Sequence, residues 1–137
     1  MDLGIANKTA LICASSKGLG RGCAEALAEA GVHLVINARG QDELQAAADS
    51  IRGRFNVRVE TVAADITTLE GQNSVLKVLE TPDILINNAG GPPPGMWSDW
   101  EKEDFLAALE ANMLTPIAMI KRILPSMIEK GWGRVVN

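Results

Sequence analysis

Tyrosine is absent from all 137 residues, so a mechanism that relies on a phenolic acid or base finds no candidate group in this sequence. The single histidine, His33, leaves no imidazole pair for zinc or a two-metal centre and no second imidazole to share acid–base roles. Cysteine is also scarce. Cys13 and Cys23 stand ten positions apart, which fits neither a Cys-x-x-Cys redox motif nor a disulfide framework, so both read as buried thiols of a reducing compartment. Basic residues are not in excess: 13 Lys and Arg face 17 Asp and Glu, and the net charge of −4 argues against nucleic acid or anionic lipid as a partner. No apolar run approaches the roughly 20 residues of a membrane span, and the opening Met1-Asp2-Leu3-Gly4 lacks a basic-then-apolar signal pattern. The expectation is a cytoplasmic protein of one domain, large enough to bury roughly two-thirds of its unfolded surface.

What is present is a regular alternation. β-rich apolar runs predict strands at Thr9–Cys13, His33–Ile36, Val57–Val62, Asp83–Ile86 and Arg134–Val136. Between them, Ala-, Leu- and Glu-rich stretches with helical spacing predict helices over Leu19–Ala30, Asp42–Arg52, Leu69–Leu79 and Lys102–Lys130, with Gly31, Gly53 and Gly131 as stops. Pro116 and Pro125 predict a bend or break in the last stretch, and Thr67-Thr-Leu-Glu70 matches a capping box. A β-α-β cadence of this kind packs as a parallel sheet covered on both faces, and the right-handed crossover rule leaves an open doubly wound α/β fold of about five strands.

In such a fold, ligands bind outside the carboxyl ends of the strands. The unusual residues fall there. Cys13-Ala14-Ser15-Ser16-Lys17-Gly18-Leu19-Gly20-Arg21-Gly22 is a small-residue turn opening a helix, whose free amides and positive dipole end suit a pyrophosphate. It is neither a P-loop nor the strict Gly-x-Gly-x-x-Gly pattern, and its plainer reading is a tight strand–helix connection. Lys17 beside a helix N-terminus costs up to about 1 kcal/mol unless an anion is near, so a bound anion is expected. After the second strand, Asn37-Ala-Arg39 offers a cation where an NAD site usually places a carboxylate, and Asp42 is the first acid to follow. Charge-assisted bonds of about 1.5–3 kcal/mol each from Lys17 and Arg39 favour NADP over NAD by ten-fold to several hundred-fold or more. Two solvated surface cations are the alternative.

With these residues the chain resembles the short-chain dehydrogenase/reductases, in the 3-oxoacyl-[acyl-carrier-protein] reductase-like branch, over its whole length. Their Thr-Gly-x-x-x-Gly-x-Gly motif stands here as Cys13-Ala14-Ser15-Ser16-Lys17-Gly18-Leu19-Gly20, with the threonine and first glycine replaced. The resemblance implies a Rossmann-type fold that binds NADP(H), with Asp65 and Ile66 at the adenine and Asn88, Ala89 and Gly90 of the Asn87-Asn88-Ala89-Gly90 motif lining the ribose. Asp65 also suits a cap for the next helix. It further implies Asn112 as the catalytic asparagine, a carbonyl or acyl-thioester substrate within fatty-acid synthesis, and a homo-oligomer, dimer or tetramer, formed through Phe105–Met127. Lys17 and Arg39 fall at the two basic positions of NADP-using members.

The family's serine and Tyr-x-x-x-Lys motif match nothing in this sequence, and Arg134-Val-Val-Asn137 stops in the strand that leads to the serine. The expectation is a cofactor-binding domain over residues 1–137 that is incomplete after its fifth strand, with apolar surface left bare there. A dinucleotide-binding module without turnover is the alternative. An adenosylmethionine-dependent methyltransferase shares the glycine-rich turn, but usually holds the ribose with an acid where Asn37 and Arg39 stand. Trp97 and Trp100, beside Gly90-Gly-Pro-Pro-Pro-Gly95, are expected either to line an acyl pocket or to pack on the long helix or a neighbouring subunit.

Overall fold

A computed structural model describes residues 2–137. Five strands form one sheet: β1 (Thr9–Ile12), β2 (His33–Ala38), β3 (Val59–Ala63), β4 (Ile84–Ile86) and β5 (Arg134–Val136). Their order is β3-β2-β1-β4-β5, and every neighbouring pair is parallel. Helices α1 (Gly18–Glu29), α2 (Gln41–Arg54), α3 (Leu69–Val78), α4 (Lys102–Leu109) and α5 (Thr115–Lys130) connect them, with a π-helical turn at Glu110–Leu114 between α4 and α5.

The strands are apolar on both faces because helices cover both. Ile12, Ile36, Ile84 and Ile86 point to one side, where Ala24 and Ala28 of α1 and Leu44, Ala47, Ala48 and Ile51 of α2 close the core. Their neighbours Leu11, Val35 and Leu85 point to the other, against Val75 and Leu76 of α3 and Met119, Ile123 and Met127 of α5. The four-residue spacing of that last trio is the buried stripe of α5. β5 is the exception: Arg134 and Val136 are exposed at the sheet edge, where Leu124, Ile128, Trp132 and Val135 line a groove.

Several boundaries differ from the sequence expectation. β2 runs on to Ala38 because Asn37 and Ala38 pair with Val62 and Ala63, and β3 starts at Val59 rather than Val57. Gly53 does not stop α2, which continues to Arg54: Arg52 donates to the Val59 carbonyl and Arg54 to Glu25, and both cations suit a helix C-terminus. The cap of α3 is Thr68, whose hydroxyl accepts from Gly71 N–H at 3.0 Å, while Thr67 turns back to Asp65. Pro125 breaks nothing, since it sits on the exposed side of α5 and the buried stripe passes beside it. The interruption falls instead at the π turn, just before Pro116 in the first turn of α5.

The amino edge of the sheet is tied by Asp83. Its carboxylate accepts from Thr9 N–H at 2.9 Å, the Thr9 hydroxyl at 3.1 Å and Lys130 Nζ at 3.2 Å, joining β1, β4 and the end of α5. Burial alone raises this carboxyl, but the bonds from Thr9 N–H, Lys130 and the Thr9 hydroxyl outweigh it and hold it below its ordinary 3.8. A depressed folded-state value contributes stability that is present above 3.8 and is lost as pH falls through the folded value. Asp83→Asn should therefore cost roughly 1–2 kcal/mol at neutral pH. Urea midpoints between pH 6 and pH 2 should converge for the two proteins on the acid side, and parallel curves would contradict this role.

Candidate cofactor-binding site

The strand order reverses direction between β1 and β4, and a cleft of about 680 Å³ opens at the carboxyl ends beside that point. Its size is typical of small-molecule sites. The wall behind it is a row of buried hydrogen bonds. Asn37 donates its amide to the carbonyls of Val62 and Ala64 at 2.9 and 3.0 Å, so β2 holds β3. Its own backbone N–H donates to Ser15 Oγ at 3.1 Å, and Ser15 N–H donates to the Asn37 carbonyl at 2.8 Å, so the turn after β1 holds β2. On the other side Asn88 Nδ2 donates to the Ala14 carbonyl at 3.0 Å, and Asn87 reaches Val136 and Asn137 at 2.8 Å each.

The turn itself is strained at one point. Ala14 has φ of 47°, in the left-handed region that glycine occupies freely and alanine at a cost of about 1–2 kcal/mol. Gly20 is demanded by close approach: a Cβ there would stand 2.3 Å from the Ala14 carbonyl oxygen and 2.8 Å from Asn88 Nδ2. Cys13 is no nucleophile, because burial pushes its thiol up to about 12, only partly offset by a hydrogen bond from the Asn88 backbone.

At the mouth of the cleft the charges are arranged around α1. Lys17 is its N-cap, extended and without a side-chain cap bond, the first turn holds no acidic residue, and this end of the helix lines the cleft, with no hydrogen bond from the Gly18, Leu19 or Gly20 N–H among the described residues. Lys17 is not without a counter-ion: Glu43 Oε2 in the first turn of α2 lies 3.8 Å from its Nζ. That contact corrects the expectation that a bound anion is needed to explain Lys17. Arg39 lines the same cleft and, among the described residues, makes no ion pair. Asp65 Oδ1 accepts from the Thr67 hydroxyl at 2.7 Å and Thr67 N–H at 3.0 Å. Those two bonds, with a smaller contribution from the Arg39 charge, hold its carboxyl below the ordinary 3.8. Its Oδ2 makes no hydrogen bond among the described residues.

Most residues singled out in the sequence line this cleft: Ala14, Ser16, Lys17, Gly18, Leu19, Asn37, Arg39, Asp65, Ile66, Asn88, Ala89 and Gly90. Ser15 and Gly20 do not; they are buried behind the turn and set its shape. The Asn37 side chain is likewise spent on β3. Asn112 stands in the π turn, exposed, donating to the Ala108 carbonyl at 3.1 Å, beside the cleft rather than in its lining. π turns often mark functional positions in helices. Trp97 is 77% exposed and Trp100 packs edge-on against Phe105, so neither lines the cleft. Lining residues that the sequence reading did not assign to the site include Glu43, Pro92, Pro93, Asp104 and Glu110.

Comparison with known proteins settles the family, since the profile described as short chain dehydrogenase matches residues 8–137. The chain belongs to the short chain dehydrogenases. An uncharacterized oxidoreductase of Bacillus subtilis is 33% identical over 137 residues, 99% of this chain and 52% of that protein. The 3-oxoacyl-[acyl-carrier-protein] reductase of Aquifex aeolicus is 28% identical over 141 residues, covering 100% of this chain and 57% of the relative. Among solved structures, L-sorbose reductase of Gluconobacter frateurii, in complex with NADPH and L-sorbose, is similar with a TM-score of 0.90 at 34% identity, over 98% of this chain and 53% of that one. The chain spans about half the length of these relatives. No helix among the described residues of this short chain dehydrogenase is long and apolar enough to cross a membrane.

Relieving the strain at Ala14 gives a direct test of the turn. Ala14→Gly recovers about 1–2 kcal/mol in the folded state and gives back about 0.4–1 through the freer unfolded chain. The net is a thermal midpoint higher by roughly 2–4 °C. A lower midpoint in a melting experiment would show that the turn does not hold Ala14 in this conformation.

Proposed function

We propose that this chain forms the cofactor-binding domain, residues 1–137, of an NADPH-dependent reductase acting on a carbonyl group, 3-oxoacyl-[acyl-carrier-protein] reductase-like in substrate class. The observation that carries it is the pair of cations at the cleft, Lys17 and the unpaired Arg39, with no carboxylate at the end of β2. The site suits an anionic dinucleotide on its own geometry: unpaired N–H groups at α1, a first turn without acid, and Asp65 Oδ2 free.

In this reading Lys17 and Arg39 take the 2′-phosphate, Ser16 and the leading amides of α1 the pyrophosphate, and Asp65 the adenine amino group. Asn88, Ala89 and Gly90 flank the ribose. When bound, the nicotinamide supplies the hydride. The left-handed Ala14 turn and the Asn88 bond to it hold the cleft open without rearrangement, so little ordering accompanies binding. In this reading Asn112, exposed in the π turn next to cleft-lining Ala111, positions water at the substrate end of a proton relay. Support for the substrate class comes from the Aquifex aeolicus relative, and the L-sorbose reductase similarity supports the broader class of ketones. We assign the protein to the cytoplasm and read it as a homo-oligomer; exposed Leu106 and Leu109 of α4, Met113 of the π turn and Ile117 of α5 support the oligomer.

A second reading, a dinucleotide-binding module without turnover, is favoured by the absence of tyrosine. Oxidation of NADPH by this chain with an acetoacetyl thioester contradicts it.

Titration followed by nicotinamide fluorescence should give NADPH at least about ten-fold tighter binding than NADH. In the double variant Lys17→Ala/Arg39→Ala the two cofactors should fall within about three-fold of each other. Equal affinities in the wild-type protein overturn the reading.

A further inference from the structure

Among the described residues, Glu43 is the one acid that forms an ion pair with a cation of the cleft. Its Oε2 lies 3.8 Å from Lys17 Nζ, with the two side chains 64% and 80% exposed, so the pair is a loose surface contact that a stronger anion displaces easily. Glu43 is nonetheless held in place independently of Lys17, because the first turn of α2 favours a carboxylate. Lys17, Arg39 and Glu43 line one cleft, whose lining also holds Asp65, Asp104 and Glu110, so the two cations meet a phosphate monoester of about −1.5 to −2 with carboxylates already beside them.

We propose that Glu43 is a built-in competitor for Lys17 that must give up its ion pair when a 2′-phosphate binds, and so limits how strongly the site prefers phosphorylated over unphosphorylated adenosine. The inference rests on the NADPH reading above. An adenosine without the 2′-phosphate leaves the Lys17–Glu43 pair intact. A phosphorylated one takes Lys17 and leaves the Glu43 carboxylate unpaired beside a dianion, so removing the Glu43 charge favours the phosphorylated ligand alone. Glu43 acts through Lys17 as a positioning residue and contacts no reacting atom.

The test is calorimetric titration with adenosine 2′,5′-bisphosphate and adenosine 5′-monophosphate, at low and high salt, on wild type, Glu43→Gln, Glu43→Asp, Lys17→Met and the Glu43→Gln/Lys17→Met double variant. Glu43→Gln should tighten the bisphosphate by roughly three- to ten-fold and the monophosphate by less than about two-fold. The gain should shrink at high salt, and Glu43→Asp should restore wild-type behaviour. In the Lys17→Met background the gain should fall by at least about half, the coupling that marks competition for one cation. Equal tightening of both ligands, no tightening, or a full gain without Lys17 overturns the proposal. A wild-type protein that binds the two nucleotides equally overturns the NADPH reading itself, and the proposal with it. A clear wild-type preference that Glu43→Gln does not change removes only the role of Glu43.

Discussion

Five strand ends are joined by polar groups set into an otherwise apolar sheet, and the cleft depends on that row. Asn37 carries two β3 carbonyls, Ser15 and Asn37 exchange bonds between the first turn and β2, and Asn88 carries the Ala14 carbonyl from β4. Ser15 and Asn37 are buried and Asn88 half-buried, so an unmade bond among the buried pair costs about 1–3 kcal/mol and the arrangement is strongly specified. The result is a fixed rear wall. The helix α1 is then set against it by Gly20, the only side chain small enough to allow the Ala14 carbonyl and Asn88 amide to meet.

The two edges of the sheet divide the work between them. At the amino edge Asp83 pairs with Thr9 and Lys130, and Trp132 lies beneath Lys8 at 4.4 Å and Arg134 at 4.7 Å, so these four charges have partners. At the carboxyl edge Arg39 lacks an ion pair, the α1 amides are open and Ala14 is strained. The charges of the amino edge are paired, whereas the carboxyl edge sets open binding groups in front of its hydrogen-bonded wall. That contrast, on a doubly wound sheet, is what a ligand site on a rigid scaffold requires.

Much of this was legible in the sequence because it is local. The alternation of apolar runs with helical stretches gave the parallel sheet, and Lys17, Arg39, Asp65 and Asn88 could be placed at the carboxyl edge from their positions after strands. The remainder depends on contacts between distant segments. Ser15 and Asn37 read as ligand contacts, and the fold also bonds them to each other behind the cleft, which nothing in their neighbours along the chain reveals. Glu43 was not singled out in the sequence, because its proximity to Lys17 arises only when β1 and β2 pair and bring α1 and α2 side by side. The stop expected at Gly53 was overridden by Arg52 and Arg54 reaching partners on β3 and α1. Pro125 was tolerated because of which side of α5 it occupies, a property of packing and not of proline.

The central claim is that the carboxyl-edge cleft, and no other face, receives a nicotinamide dinucleotide phosphate. Backbone amide resonances of the protein recorded with and without NADPH test it most directly. The account predicts large shifts at Ser16, Lys17, Gly18, Arg39, Ala89 and Gly90, with Lys8, Asp83 and Trp132 at the opposite edge unmoved. Shifts centred on Trp132 and the β5 groove, or none at any residue, would contradict it.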